Sequence, residues 1–235
     1  MSPTLDPPHT PEELSHSLTA EERERVHAEA AVLAAEAYAR RGAGVGCKAA
    51  VRAAIRQRFA TASSAHVLEL ARALYRQYEC PWFAMCMVRF HEPTFAQLDA
   101  SVVEEFGRDI ASARLADVHA RVLSGPAWLH GRIDDQSVMG WTRSADAWRR
   151  RIAAVSTVTL NVRGLDGGRG DTPRTLAVCR ELAGDADPIV HGGLVAALRA
   201  LCKVDRAAVP AFLAEQACVL PLALADRLHR GLTAR

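Results

Sequence analysis

Lysine is almost missing from this chain of 235 residues: of its 29 basic residues, only Lys48 and Lys203 are lysines. Aromatics make up 6% of the total. No apolar run approaches the roughly 20 residues that a membrane-spanning helix needs, so no membrane partner is expected. The opening MSPTLDPPHT is polar and proline-rich and does not read as a signal peptide. Six cysteines (Cys47, Cys80, Cys86, Cys179, Cys202, Cys218) form no CxxC pair, and no histidine stands at zinc-ligand spacing. They read as reduced buried thiols of a cytoplasmic protein, and neither a metal nor another cofactor is expected. Neither charge sign dominates, the formal net charge being +2. Any attraction for a polyanion must therefore come from how the charge is placed.

What is there is 49% hydrophobic and 24% charged, which excludes a wholly disordered chain. Alanine, the best helix former, occurs 44 times, and glycine and proline fall mostly between periodic segments. The chain reads as all-α. Thr19 with Glu22 makes a capping box for a helix through Arg40. The break RRGAGVG precedes helices over 47–59, 65–78 and 81–90, with Pro81 suited to a first turn. A helix from Pro93 to about Arg108 and one over 112–123 follow, and Ser124-Gly125-Pro126 reads as a break. Further helices fit 134–142, 145–160, 172–183, 188–202, 206–217 and 220–231. The stretch Arg163–Asp171 lacks the GK[ST] ending of a phosphate-binding loop and reads as a connector. Residues 1–20 read as an N-terminal tail whose order is left open, and 21–235 as one domain. So many short helices suit an irregular bundle or a stack of helical pairs.

Charge is unevenly placed. Residues 41–76 carry seven basic residues, among them Arg52 and Arg56, against Glu69 alone. Residues 114–151 carry seven arginines against four aspartates. Such stretches suit either a surface that holds a polyanion or ordinary solvated helix faces. The densest window is Gly140–Val155, GWTRSADAWRRRIAAV. Ser144 can cap the helix that follows. Trp148, Ile152 and Val155 form an apolar stripe at i, i+4, i+7, so Trp141 and Trp148 read as structural anchors. Arg149, Arg150 and Arg151 cannot all be buried, so one or two of them should face solvent or a groove.

The pattern W-x-x-S-x-x-x-W-x-x-R from Trp141 to Arg151, followed by an Ala/Val run, resembles the signature of the bacterial DNA-alkylation-repair (AlkD-like) family of HEAT-like-repeat glycosylases. Val45-Gly46 before the helix at Cys47, Ala73–Glu79 before the helix at Pro81, and Asp187–Asp205 with its L-R-x-x-x-K-x-D ending agree in order. The resemblance implies an α-solenoid of degenerate HEAT-like repeats with a basic concave face. It implies a monomeric protein that binds duplex DNA carrying alkylated purines.

In that family an Asp beside the anomeric carbon stabilises positive charge on the sugar while a cationic 3- or 7-alkylpurine leaves. Aromatic side chains pack on the deoxyribose and an Arg holds the backbone. Carried over, the Arg is Arg151, and Arg150, Arg143, Arg52, Arg56 and Lys203 join it as candidate DNA contacts. His119 stands where the Asp is expected, Leu115 and Ala196 at the aromatic positions, and Asp117 two residues before His119. A shift of two would make Asp117 the acid. His119 could activate water or be a packed histidine, and Asp134 and Asp135 are substitute carboxylates or helix caps. The resemblance thus leaves three readings: an alkylpurine glycosylase with an altered catalytic set, a non-catalytic DNA-structure binder, or a protein-binding helical scaffold.

Overall fold

The computed structural model describes residues 19–39, 47–164 and 166–233, and every regular element among them is helical. All but the last two residues of the tail 1–20, and the glycine-rich break before Cys47, lie outside the described residues. No helix among the described residues is long and apolar enough to cross a membrane. The helices fall into two compact units, one ending at Thr94 and one starting at Phe95.

The first unit contains α1 (Ala20–Ala39), α2 (Cys47–Arg58), α3 (Ser64–Arg76) and α4 (Pro81–Phe90). The capping box at its start is formed: Thr19 N donates to Glu22 Oε2 at 2.7 Å, and Glu22 N donates to Thr19 Oγ1 at 3.2 Å. These bonds from Thr19 hold the Glu22 carboxyl below the usual carboxylate range. The stripe Val26, Ala30 and Leu33 packs α1 on α3, whose Val67, Leu70, Ala71 and Leu74 repeat at the same spacing. In turn α3 packs on α4, which also meets α2.

The helix expected from Pro93 to Arg108 is two, α5 (Glu92–Ala96) and α6 (Ala100–Phe106). The cause is Asp99, whose carboxylate accepts from Val102 N at 3.0 Å and starts a new N-terminus. Conversely, the break expected at Ser124-Gly125-Pro126 is absent. The chain runs from α7 (Ala113–His119) through a π-helical turn (Ala120–Ser124) straight into α8 (Gly125–Leu129). A proline removes one N–H and crowds the carbonyl four residues back. Widening the turn, so that Gly125 N reaches Ala120 O, lets the helix continue past Pro126.

Four aspartates, Asp134, Asp146, Asp171 and Asp187, then cap α9 (Asp135–Thr142), α10 (Ala147–Asn161), α11 (Thr172–Leu182) and α12 (Pro188–Cys202). Two further helices, α13 (Ala208–Glu215) and α14 (Leu222–Thr233), complete the unit. The cap of α10 is Asp146 rather than the expected Ser144. Trp148 N donates to Asp146 Oδ1 at 2.9 Å, while Ser144 Oγ accepts from Asp146 N at 3.2 Å and shapes the turn before it.

Helix α10 is the centre of this unit. It packs against α7, α8, α9, α11 and α12, and every residue from Arg151 to Asn161 is buried. A helix buried all round has no solvent side for polar groups, so its hydroxyls bond internally. Ser156 Oγ donates to Ile152 O and Thr157 Oγ1 to Ala154 O, both at 2.7 Å.

Candidate functional site

Successive residues of a helix point about 100° apart, so Arg149, Arg150 and Arg151 leave the start of α10 in three directions. Each meets an acid from a different element. Arg149 pairs with Glu104 of α6 at 3.4 Å, and the same carboxylate accepts from Trp141 Nε1 at 2.9 Å. Arg150 Nε donates to Asp185 Oδ2 at 2.6 Å, and its Nη1 donates to Ser144 O and Ala145 O. Arg151 Nε donates to Asp117 Oδ1 at 2.9 Å across to α7, and its Nη1 donates to Ile189 O of α12 at 2.7 Å. As expected, the three are not all buried: Arg149 and Arg150 are half-buried, Arg149 lines a groove, and Arg151 is buried. Each is also held by an acid, so the triplet fastens α10 to its neighbours.

The other cations expected to hold DNA divide similarly. Arg143 makes a bidentate pair with Glu181, at 3.0 and 3.1 Å, which raises its pKa, and Arg56 pairs with Glu92. Arg52 is half-buried and Lys203 is exposed just past the end of α12. Of the two tryptophans read as anchors, Trp141 is buried, whereas Trp148 is only half-buried.

His119 is 1% exposed. Its Nε2 donates to Val103 O at 2.9 Å, and Nδ1 is buried without a partner among the described residues. Burial pushes its pKa down to about 4, a change that the Val103 bond opposes and the Arg149 charge adds to. The ring is neutral at pH 7 and sealed inside the second unit. It is buried away from any surface on which a substrate could lie. Asp117 is the opposite case. Its side chain is 32% exposed, and among the described residues only Oδ1 is engaged, by a guanidinium that is itself 11% exposed.

That contrast assigns the surface carboxylate of α7 to Asp117. On the same helix Arg114 and, just past its end, Arg121, three residues before and four after, are exposed and make no ion pair among the described residues. The substitute carboxylates are otherwise employed. Asp134 accepts from Ser137 N and Oγ, each at 2.7 Å, and these bonds lower its pKa. Asp135 accepts from Trp128 Nε1 at 2.7 Å.

Nothing in the sequence pointed to Glu104, Asp185 or the Ile189 carbonyl as partners, because each lies at least 35 residues from its arginine. One signal was readable. Gly192 and Gly193 stand side by side within α12, where glycine is a poor helix former, and both lie against Arg151.

The arrangement is thus a half-exposed carboxylate fixed by a buried guanidinium, with exposed cations to either side of it. It can hold negative charge at a fixed point of a surface that is otherwise attractive to anions. No curated protein and no solved structure matches the chain. The family model described as DNA alkylation repair enzyme matches residues 19–226, a span that contains the Asp117–Arg151 pair. With a match over most of its length, the chain belongs to the DNA alkylation repair enzyme family.

Proposed function

We propose that the protein binds duplex DNA and hydrolyses the N-glycosidic bond of cationic alkylpurines, with Asp117 as the acid. One observation carries this reading: Asp117 is the carboxylate of α7 that reaches solvent, and Arg151 holds it in place. Alkylation at N3 or N7 makes the base a cation. As the C1′–N bond breaks, its electron pair neutralises the departing base and positive charge develops on the sugar. A fixed carboxylate stabilises that charge, and water then adds to C1′ and loses a proton. Arg151, engaged by Asp117 and Ile189 O, acts on the carboxylate rather than on the DNA backbone. Phosphates are left to the exposed Arg114 and Arg121.

The fold reading that goes with this is an α-solenoid of degenerate HEAT-like repeats. Within the second unit it is supported by the pairs α9–α10 and α11–α12, whose second helices pack on each other. A specific observation favours the rival, a DNA-structure binder without catalysis. The family's aromatic positions fall on Leu115 and Ala196, so a deoxyribose would find little ring surface beyond the half-buried Trp148, one turn before Arg151.

Release of free 7-methylguanine or 3-methyladenine from alkylated duplex DNA separates the two. Asp117→Asn keeps an oxygen for Arg151 Nε but loses the negative charge. It is expected to lower excision by at least about a hundredfold while duplex affinity stays within about twofold. Excision that survives Asp117→Asn would remove Asp117 from the reaction. No excision by the wild-type protein, with binding intact, would favour the rival.

A further inference from the structure

Helix α12 runs from Pro188 to Cys202 and is largely alanine, leucine and valine, with two adjacent glycines one turn from its start. In a chain with 44 alanines, glycine inside a helix calls for a physical reason. At Gly193 the reason is helix packing: an added Cβ would lie 3.1 Å from Ala154 Cβ and 3.2 Å from Arg151 O, both on α10. At Gly192 it is different. A Cβ there would lie 2.4 Å from Arg151 Nη1, and the next two nearest atoms are Cζ and Nη2 of the same guanidinium, at 3.4 and 3.6 Å. Nothing of the surrounding backbone is as near. A methyl at 192 would therefore be accommodated by moving the end of one flexible side chain, without disturbing the packing of α10 on α12.

That end is the group on which the proposed site depends. Arg151 Nη1 reaches Ile189 O, one turn before Gly192 on the same helix, and Nε reaches Asp117 Oδ1. With both bonds made, the guanidinium lies over the bare backbone at 192. We infer that Gly192 is a positioning residue: it leaves the notch in α12 through which Arg151 passes to hold the Asp117 carboxylate. For its bearing on catalysis, this role of Gly192 rests on the reading of Asp117 as the acid.

The experiment is a double-mutant cycle of Gly192→Ala with Arg151→Ala in the full-length protein. It is read by thermal unfolding, by the Arg151 Nε–H resonance in the DNA-free protein, and by excision. With Arg151 present, Gly192→Ala is expected to shift or broaden the Nε–H signal that Arg151→Ala removes. It is also expected to slow excision by roughly tenfold to a hundredfold, the scale of a displaced catalytic group. With Arg151 absent, the same change should leave excision unaltered within about twofold and raise the melting temperature, because alanine is the better helix former. Gly192→Ala acting alike in both backgrounds, or leaving the Nε–H signal in place, would overturn the inference. If the wild-type protein excises nothing, the glycosylase reading fails. The resonance and the melting cycle then still decide whether Gly192 positions Arg151.

Discussion

At His119 the decisive quantity is solvation. An imidazole that keeps one hydrogen bond and loses all water has its charged form penalised, and the nearby Arg149 adds to the penalty. The folded protein therefore resists a proton that the unfolded chain takes up freely once the pH falls through about 6.5. With the folded pKa lowered to about 4, the unfolded state binds more protons between those two values. Stability is complete above the unfolded pKa and declines as the pH falls towards the folded one. Each pH unit between the two is worth about 1.4 kcal/mol, so the loss is on the order of 3 kcal/mol. Buried His91, whose pKa is lowered chiefly by desolvation, works in the same direction. Melting temperatures measured from pH 7 to pH 4 are expected to fall less steeply for His119→Gln than for the wild type, because the amide offers Val103 O a donor that does not titrate. Equal slopes for the two proteins would show that His119 is not the group responsible.

At the scale of the element, the continuous path from α7 to α8 depends on Gly125. Its Cβ, if present, would stand 2.5 Å from Thr159 Oγ1, 2.6 Å from Ala120 O and 2.8 Å from Ser156 O. Two of these are backbone carbonyls, so neither a rotamer change nor a small shift makes room. Gly125→Ala is expected to destabilise the protein by about 2–3 kcal/mol through overpacking. Gly140→Ala, in α9 with nothing among the described residues within 4 Å of the added carbon, should be neutral or raise stability by up to about 1 kcal/mol. Denaturant midpoints of the two variants check the contrast. A mild Gly125→Ala would mean that the chain at 125 can move away from these atoms at little cost, and that the continuous path does not depend on the glycine. The same helices show how far local chemistry is legible. Thr19 and Glu22, three residues apart, bond as a capping box because everything they need lies within one turn. Asp146 replaced Ser144 as a cap because both lie within reach of the first N–H groups, and only the turn before α10 decides between them. The fate of Arg149, Arg150 and Arg151 was beyond such reading. Their partners arrive from α6, α7, α12 and the loop before it, and tertiary packing alone brings them together.

Over the whole molecule, a net charge of +2 with 27 arginines makes the pairing of each arginine more informative than their number. An arginine that faces water with no acid nearby draws in counterions that a phosphate displaces, and each such contact steepens the salt dependence of DNA binding by about 0.9 in the log–log slope. An arginine already held by a carboxylate exchanges one anion for another and contributes little to that slope. Arg143, bound at two points by Glu181, and Arg150, held by Asp185, belong to the second kind. Arg114 and Arg121 on either side of Asp117 belong to the first. The double variant Arg114→Ala/Arg121→Ala is thus expected to weaken duplex binding alike for all base sequences and to flatten the slope by about two contacts' worth, roughly 1.8. Arg143→Ala should leave the slope where it is. Affinities measured from low to moderate salt, on alkylated and unmodified duplexes, make the comparison. The reverse pattern, with Arg143 setting the slope and Arg114 and Arg121 silent, would move the DNA away from Asp117. The carboxylate would then have no sugar to act on.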